Sequence, residues 1–291
     1  MLKLKEFIFW VLKGIGIGSA NVIPGVSGGT IALLTGIYER FLNSIKSFNL
    51  TNCTLLLSGK FKEFCKATDL WFLLSVLLGV VISTYSLAKI LVYLLEVYPV
   101  ATWAFFFGLV LVSCYYVGLE IKKWNFGTIL CGAIGIGIAL FISVASPTQT
   151  PDTWWFVMLC GAIAICAMIL PGISGSFILV LLAKYEFIMN AIGDLNVPVL
   201  AVFIIGAVIG LVAFSHLLSW LLKSYRAQTL ALLTGFMVGS LPKLWPWQSS
   251  PQVTSPSFPS QWGAAIIFAV TGVALVVLLE WLAAREKSSG R

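Results

Sequence analysis

The sequence predicts an all-α, multi-pass membrane protein built from two repeats of inverted topology. Three observations predict it: long apolar segments, a motif that occurs twice, and basic residues concentrated in alternate loops. Of the 291 residues, 59% are hydrophobic and 10% are charged, whereas a soluble domain carries about 25% charged residues. This composition excludes a water-soluble globular protein, a disordered chain and a nucleic-acid-binding protein. The apolar segments are also too long for a transmembrane β-barrel.

Six segments are long and apolar enough to cross about 30 Å of hydrocarbon as single helices. They are residues 70–96, 100–121, 126–146, 197–222, 227–242 and 262–284. Two further apolar regions, 6–45 and 154–192, are interrupted by Pro24-Gly25 and Pro171-Gly172. Proline removes a backbone donor and glycine frees the chain, so each region is predicted to be two shorter helices joined by a bend. Each pair forms either a re-entrant hairpin or two full spans.

An internal duplication relates the two broken regions. Residues 24–45 match residues 171–192 at an offset of 147, with ten of 22 positions identical, and residues 79–113 match 206–240 at an offset of 127. The offset falls because the first half carries an insertion at about 46–69. The chain therefore divides into a first repeat, residues 1–146, and a second repeat, residues 147–291.

The distribution of basic residues predicts the topology. The insertion at 46–69 carries four lysines and is assigned to the cytoplasm, whereas the loop at 147–153 has no basic residue and the loop at 243–261 has only Lys243. Both termini are then cytoplasmic, and each repeat makes an odd net number of crossings. An odd unit inverts its successor, and inverted repeats with interrupted helices are typical of transporters whose substrate site lies near the midplane.

Each Pro-Gly break is followed by a small-residue motif that opens a new helix. Ser27 and Ser174 occupy N-cap positions, and the amides that follow have no intrahelical partner. Because unsatisfied amides are costly in hydrocarbon, these groups need a ligand, a side chain or water. A helix N-terminus is a natural anion site, so we expect an anionic head group here. The alternative is that Pro-Gly only kinks a helix and that the glycines allow close packing. The expected head-group residues are Ser27, Gly28, Gly29, Thr30, Ser174, Gly175 and Ser176, supported by Asn21, Tyr38 and Tyr185.

Charged side chains within the apolar segments form a second set of candidates, because a charge near the bilayer centre usually faces a cavity or a partner. A glutamate recurs in both motifs, as Glu39 and Glu186, which favours proton or sodium coupling, or pairing with Arg40 and Lys184. Snorkelling to the interface is the alternative. His216 would supply charge to a head group or serve in packing. The coupling or head-group candidates are Glu39, Arg40, Lys184, Glu186, Lys89 and His216.

Catalysis has little support in the sequence. There is no Ser-His-Asp set, no H-E-x-x-H motif and no acidic metal cluster, and the six cysteines show no C-x-x-C spacing. We therefore expect a protein that is not an enzyme and that uses neither metal nor cofactor.

The motifs P-G-V-S-G-G-T-I-A-L-L-T-G-I-Y-E-R (24–40), P-G-I-S-G-S-F-I-L-V-L-L-A-K-Y-E (171–186) and G-F-M-V-G-S-L-P-K-L-W-P-W (235–247) resemble a family of bacterial and archaeal membrane proteins. That family is catalogued as domain of unknown function 368, and its members are regarded as polyprenyl-phosphate translocases. The resemblance implies a flippase that moves undecaprenyl phosphate, the lipid carrier of cell-wall synthesis, from the outer to the inner leaflet of the bacterial cytoplasmic membrane for reuse. The second motif departs from the first at Lys184 and Phe187, in place of Gly36 and Arg40, so a symmetric ligand cage is not expected.

Two other functions are kept as alternatives. One is an ion-coupled transporter of a small anionic solute, which uptake of a soluble anion would favour. The other is a membrane lipid-phosphate phosphatase, which release of inorganic phosphate would favour. The sequence predicts lipid-phosphate transport by alternating access, with the isoprenoid tail left in the membrane lipid.

Overall fold

The computed structural model describes residues 4–22, 27–145, 150–247 and 260–289, and this part of the chain is helical without any strand. In chain order the helices are α1 (Leu4–Val22), α2 (Gly28–Leu34), α3 (Tyr38–Lys46), α4 (Leu50–Leu57), α5 (Phe61–Ala67), α6 (Leu70–Val97), α7 (Pro99–Leu119), α8 (Phe126–Val144), α9 (Trp154–Ile169), α10 (Gly175–Leu181), α11 (Tyr185–Gly193), α12 (Val197–Ser224), α13 (Arg226–Ser240) and α14 (Ser260–Ser289). The predicted all-α class is confirmed. The Pro24-Gly25 break, the predicted repeat boundary at 146–147 and most of the loop at 243–261 lie outside the described residues.

The six predicted long helices are α6, α7, α8, α12, α13 and α14. Among the described residues, four stretches are long and apolar enough to span a membrane as single helices: Pro99–Leu119, Phe126–Val144, Val197–Ser224 and Gln261–Leu278. Helix α13 has 15 residues and rises only about 22 Å. A 3-10 turn at Leu241–Leu244 follows it and leads into the loop that the charge pattern places outside.

Each broken region contains three helices, so the prediction of two was wrong. The extra break follows α2 and α10, where Gly36 (φ +68°) and Ala183 (φ +49°) adopt the left-handed conformation. Matching backbone hydrogen bonds cap the C-terminal ends of α2 and α10: Ile37 N donates to Ala32 O at 3.0 Å, and Lys184 N donates to Leu179 O at 2.8 Å. Ala183, and not Lys184, therefore stands in the position of Gly36. The chain then bends by 112° between α10 and α11.

The helix boundaries repeat with the sequence. Helices α2 and α3 recur as α10 and α11 at an offset of 147, and α6 recurs as α12 at an offset of 127, with the same first and last positions. The insertion, predicted only as a polar stretch, contains α4 and α5. The duplicated sequence therefore folds into duplicated helices.

Four closely packed helix pairs hold the fold together: α1 with α6, α9 with α12, α8 with α13, and α7 with α14. Glycine allows the backbones to meet, since a Cβ added at Gly14 would lie 2.2 Å from Val76 O and one at its counterpart Gly161 would lie 2.2 Å from Phe203 O. The last helix of each predicted repeat thus packs on the other repeat, and the two halves interlock around α7 and α13.

Candidate functional site

The first motif lies directly against the break in the second half of the chain. Ser27 Oγ donates to Leu170 O at 2.8 Å, and Tyr38 OH donates to Ile169 O at 3.2 Å. These two carbonyls stand at the end of α9, where helical carbonyls lack intrahelical partners. In return, Gly172 N donates to Thr30 Oγ1 at 3.2 Å. The structure therefore brings the two sequence motifs together in the interior of the fold.

Close packing accompanies these bonds. A Cβ on Gly29 would lie 2.2 Å from Ile169 O, so only glycine permits α2 to approach the end of α9. Ser27 and Thr30 are 2% and 1% exposed. The contact is therefore a buried part of the core.

The amides that open α2 already have partners. Gly28 N donates to Asn21 Oδ1 at 2.8 Å, and Gly29 N donates to Ser27 Oγ at 3.1 Å. At the first motif, side chains supply the partners that the helix itself cannot give these amides: Asn21 reaches across from α1, and Ser27 is the N-cap. Asn21 and Ser27 act here as caps of a two-turn helix.

The second motif has different surroundings. Ser174 Oγ lies 2.8 Å from Ser176 Oγ, and Ser174 makes no capping bond to α10. Ser174 is half-buried and Ser176 is exposed, whereas Gly175 is packed against α9, with a Cβ there falling 2.5 Å from Ala164 O. Tyr185 is exposed, unlike its buried counterpart Tyr38. The two motifs match in sequence but differ in their contacts.

Lys243 links the second motif to an open cavity. A narrow cavity of about 10 Å³ is lined by Gly172, Ser174 and Lys243, together with Ala139, Ile142, Ser143, Ile173 and Phe177. Lys243 also lines an open cavity of about 650 Å³, whose aromatic wall is Phe107, Trp245 and Trp247. The ammonium of Lys243 lies over the ring of Phe177, and burial lowers the pKa of Lys243 to about 8.

Sequence reasoning did not select Lys243 as a site residue. A signal was present, because it is the only Lys or Arg in the 243–261 loop that the charge pattern places outside.

Arg226, at the start of α13, joins two carboxylates. Its guanidinium pairs with Glu39 of α3 and lies 3.1 Å from Glu120 Oε2. Arg40 instead makes a two-pronged pair with Asp69, at 2.6 and 3.1 Å. The proposed pairing of Glu39 with Arg40 was therefore wrong, since each has a partner in another part of the chain.

A second open cavity, of about 360 Å³, adjoins this cluster. It is lined by Glu39, Leu42, Asn43, Ser219, Leu222, Lys223 and Arg226. Ser219 Oγ donates to Asn43 Oδ1 at 2.7 Å across it. The basic-residue pattern assigns this end of α12 and α13 to the cytoplasm, opposite to Lys243.

Of the remaining charged candidates, Lys184 and His216 have their described hydrogen bonds away from the serines of the two motifs. Lys184 is 2% exposed, and its Nζ lies 2.6 Å from Asp152 Oδ1 and 2.9 Å from Thr150 O. Its partner is therefore Asp152 rather than Glu186, which is exposed. His216 Nδ1 lies 2.9 Å from Val212 O on its own helix. The side chain of Lys89 lies outside the described residues.

Comparison with known proteins identifies relatives along nearly the whole chain. A family model described as "VCA0040-like: Undecaprenyl phosphate translocase-like" matches residues 17–262. A polyprenyl-phosphate transporter of Vibrio cholerae is 40% identical over 300 residues, covering 96% of this chain and 97% of the relative. A polyprenyl-phosphate transporter of Staphylococcus aureus is 32% identical over 254 residues, covering 81% of this chain and 85% of the relative. No solved structure matches the chain.

Proposed function

Since the chain belongs to the undecaprenyl phosphate translocase-like family, we propose that it carries undecaprenyl phosphate from the outer to the inner leaflet of the cytoplasmic membrane for reuse in cell-wall synthesis. The observation that carries this proposal is the buried contact between the two duplicated motifs, with a cation-lined cavity beside it. A phosphate needs donors and a counter-charge when it leaves water. The serines of the second motif and Lys243 supply both, and the isoprenoid tail remains in lipid.

We further propose that the two halves are inverted repeats that exchange contacts during transport. In the described arrangement, Ser27, Thr30 and Tyr38 are hydrogen-bonded to the second break. Tyr38 is buried there, whereas its counterpart Tyr185 is exposed, and the first break lies outside the described residues. A transporter with inverted repeats alternates between two states, and in each state the two repeats have different contacts. The other state would tie the second motif to the first break and release the first motif.

In this scheme, the ion pairs of Arg226 hold α3, α7 and α13 together on the inner side. Arg226 joins α13 to α3 and to the end of α7 on the side assigned to the cytoplasm. Lys243 and the wider cavity stand on the side assigned to the outside. We infer that the described arrangement is open to the outer leaflet and that release inward requires the Glu39–Arg226 pair to separate. Separation of this ion pair is the step at which coupling to a proton or sodium gradient would act.

We expect combined Ser27→Ala and Ser174→Ala substitutions to slow transport about ten-fold or more, because the first removes a helix cap and a buried bond and the second removes a head-group donor. Purified protein is placed in liposomes with undecaprenyl phosphate, and transport is followed as phosphate exposed to a phosphatase on one side only. Ser58→Ala with Ser86→Ala is the matched control, because among the described residues these exposed hydroxyls bond only to the carbonyl four residues earlier. Wild-type transport by a folded Ser27, Ser174 double variant would reject these serines as site residues.

A further inference from the structure

We propose that Lys243 and the aromatic wall beside it form the outer docking site for a polyprenyl phosphate, where the phosphate binds before it reaches the second motif. The inference rests on the proposed transport function and names a site for its first step. Lys243 would hold the phosphate, while Phe107, Trp245 and Trp247 would contact the first isoprene units.

Lys243 lies between the open cavity and the second motif. Its side chain lines the open 650 Å³ cavity and also the narrow cavity that contains Gly172 and Ser174. Lys243 is the one ionisable side chain among the residues described as lining these two cavities. A phosphate held by its ammonium would therefore already stand beside the second motif, and passage between them requires no release into lipid.

The aromatic wall offers an apolar surface for the isoprenoid chain. The ring of Trp245 packs edge-on against Phe107, with centroids 5.6 Å apart, and lies 5.6 Å from the ring of Trp247. Rings packed in this way form a broad apolar surface, and a ligand that binds to it freezes little side-chain motion. Isoprene units are apolar and unsaturated, so they gain from this surface, whereas inorganic phosphate would gain nothing from it.

A third observation concerns Trp247. Its indole Nε1 is buried, and it has no hydrogen-bond partner among the described residues. A buried donor without an acceptor is unfavourable, and an acceptor oxygen on a bound ligand would remove that cost. One cation, one buried indole donor and an aromatic surface together match a phosphate monoester of an isoprenoid alcohol.

The test measures binding of undecaprenyl phosphate to the full chain in lipid nanodiscs. We expect Lys243→Gln to weaken binding about ten-fold or more and Lys243→Arg to keep it within about three-fold, because the charge and its hydrogen bonds carry the contact. Lys122→Gln, at an exposed lysine in the loop after α7, should leave binding unchanged. An excess of inorganic phosphate should not displace the lipid; displacement would identify a site for free phosphate and overturn the docking role of the aromatic wall.

Labelling of the wild type keeps the proposal testable should Lys243→Gln fail to fold. A polyprenyl phosphate with a photoreactive group on its first isoprene unit should label peptides containing Phe107, Trp245 or Trp247. Labelling confined to other peptides, or equal binding by wild type and a folded Lys243→Gln variant, would overturn this site while leaving transport intact. Failure of the wild type to bind the lipid at all would instead reject the proposed function.

Discussion

Replacing Gly29 with alanine is expected to reduce transport of polyprenyl phosphate about ten-fold or more, because a side chain at this position forces the two motifs apart. The added Cβ would lie 2.2 Å from Ile169 O. That atom belongs to the backbone at the end of α9, so no side-chain rotation relieves the overlap. Separation of α2 from α9 would also weaken the Ser27–Leu170 and Thr30–Gly172 bonds, each worth about 0.5–1.5 kcal/mol.

Transport by the Gly29→Ala variant is measured in liposomes next to Gly137→Ala. Gly137 lies within α8, and an added Cβ there meets no atom within 4 Å. The control should transport at the wild-type rate, since alanine favours a helix and fills open space. Equal transport by both variants would show that the contact between the motifs is not required.

Transport should also fall as the pH rises above neutrality. Burial lowers the pKa of Lys243 to about 8, so its ammonium is mostly charged below that pH and mostly neutral above it. Between about pH 7 and pH 9 the charged fraction falls from about nine-tenths to about one-tenth, whereas the phosphate stays doubly ionised because its second pKa is about 6. Binding needs the charged lysine, so initial transport rates should fall about ten-fold over this interval.

The Lys243→Arg variant separates this effect from other titrations. An arginine stays charged throughout the interval, so its transport should be nearly independent of pH. The rates are compared at equal pH on both sides of the liposome membrane, which removes any driving force from a gradient. A decline of equal size in wild type and Lys243→Arg would assign the pH dependence to another group.

The architecture was largely predictable because its signals are local. Apolar runs of known length give the long helices, and the duplicated motif predicts two matching sets of short helices. The second break in each motif was missed, since the left-handed residue is a glycine in one case and Ala183 in the other. Alanine carries no sequence signal for a left-handed turn, so only the duplication with Gly36 would have indicated it.

The meeting of the two motifs was predictable, but the hydrogen bonds that join them were not. That the motifs meet follows from the inverted-repeat hypothesis, but which groups satisfy the amides of α2 depends on Asn21 reaching across from α1. Likewise, the partner of Glu39 lies 187 residues away at Arg226. Contacts of this kind are set by tertiary packing, and nothing in the spacing of one sequence indicates them.

The most direct test of the whole account is an experimental structure of the full chain in a lipid nanodisc containing undecaprenyl phosphate. The account predicts the phosphate between Lys243 and the second motif, or between the two motifs, with the isoprenoid chain leaving toward the lipid past Trp245. A bound lipid whose phosphate lies away from both motifs and from Lys243, with the Ser27–Leu170 contact unchanged, would contradict it.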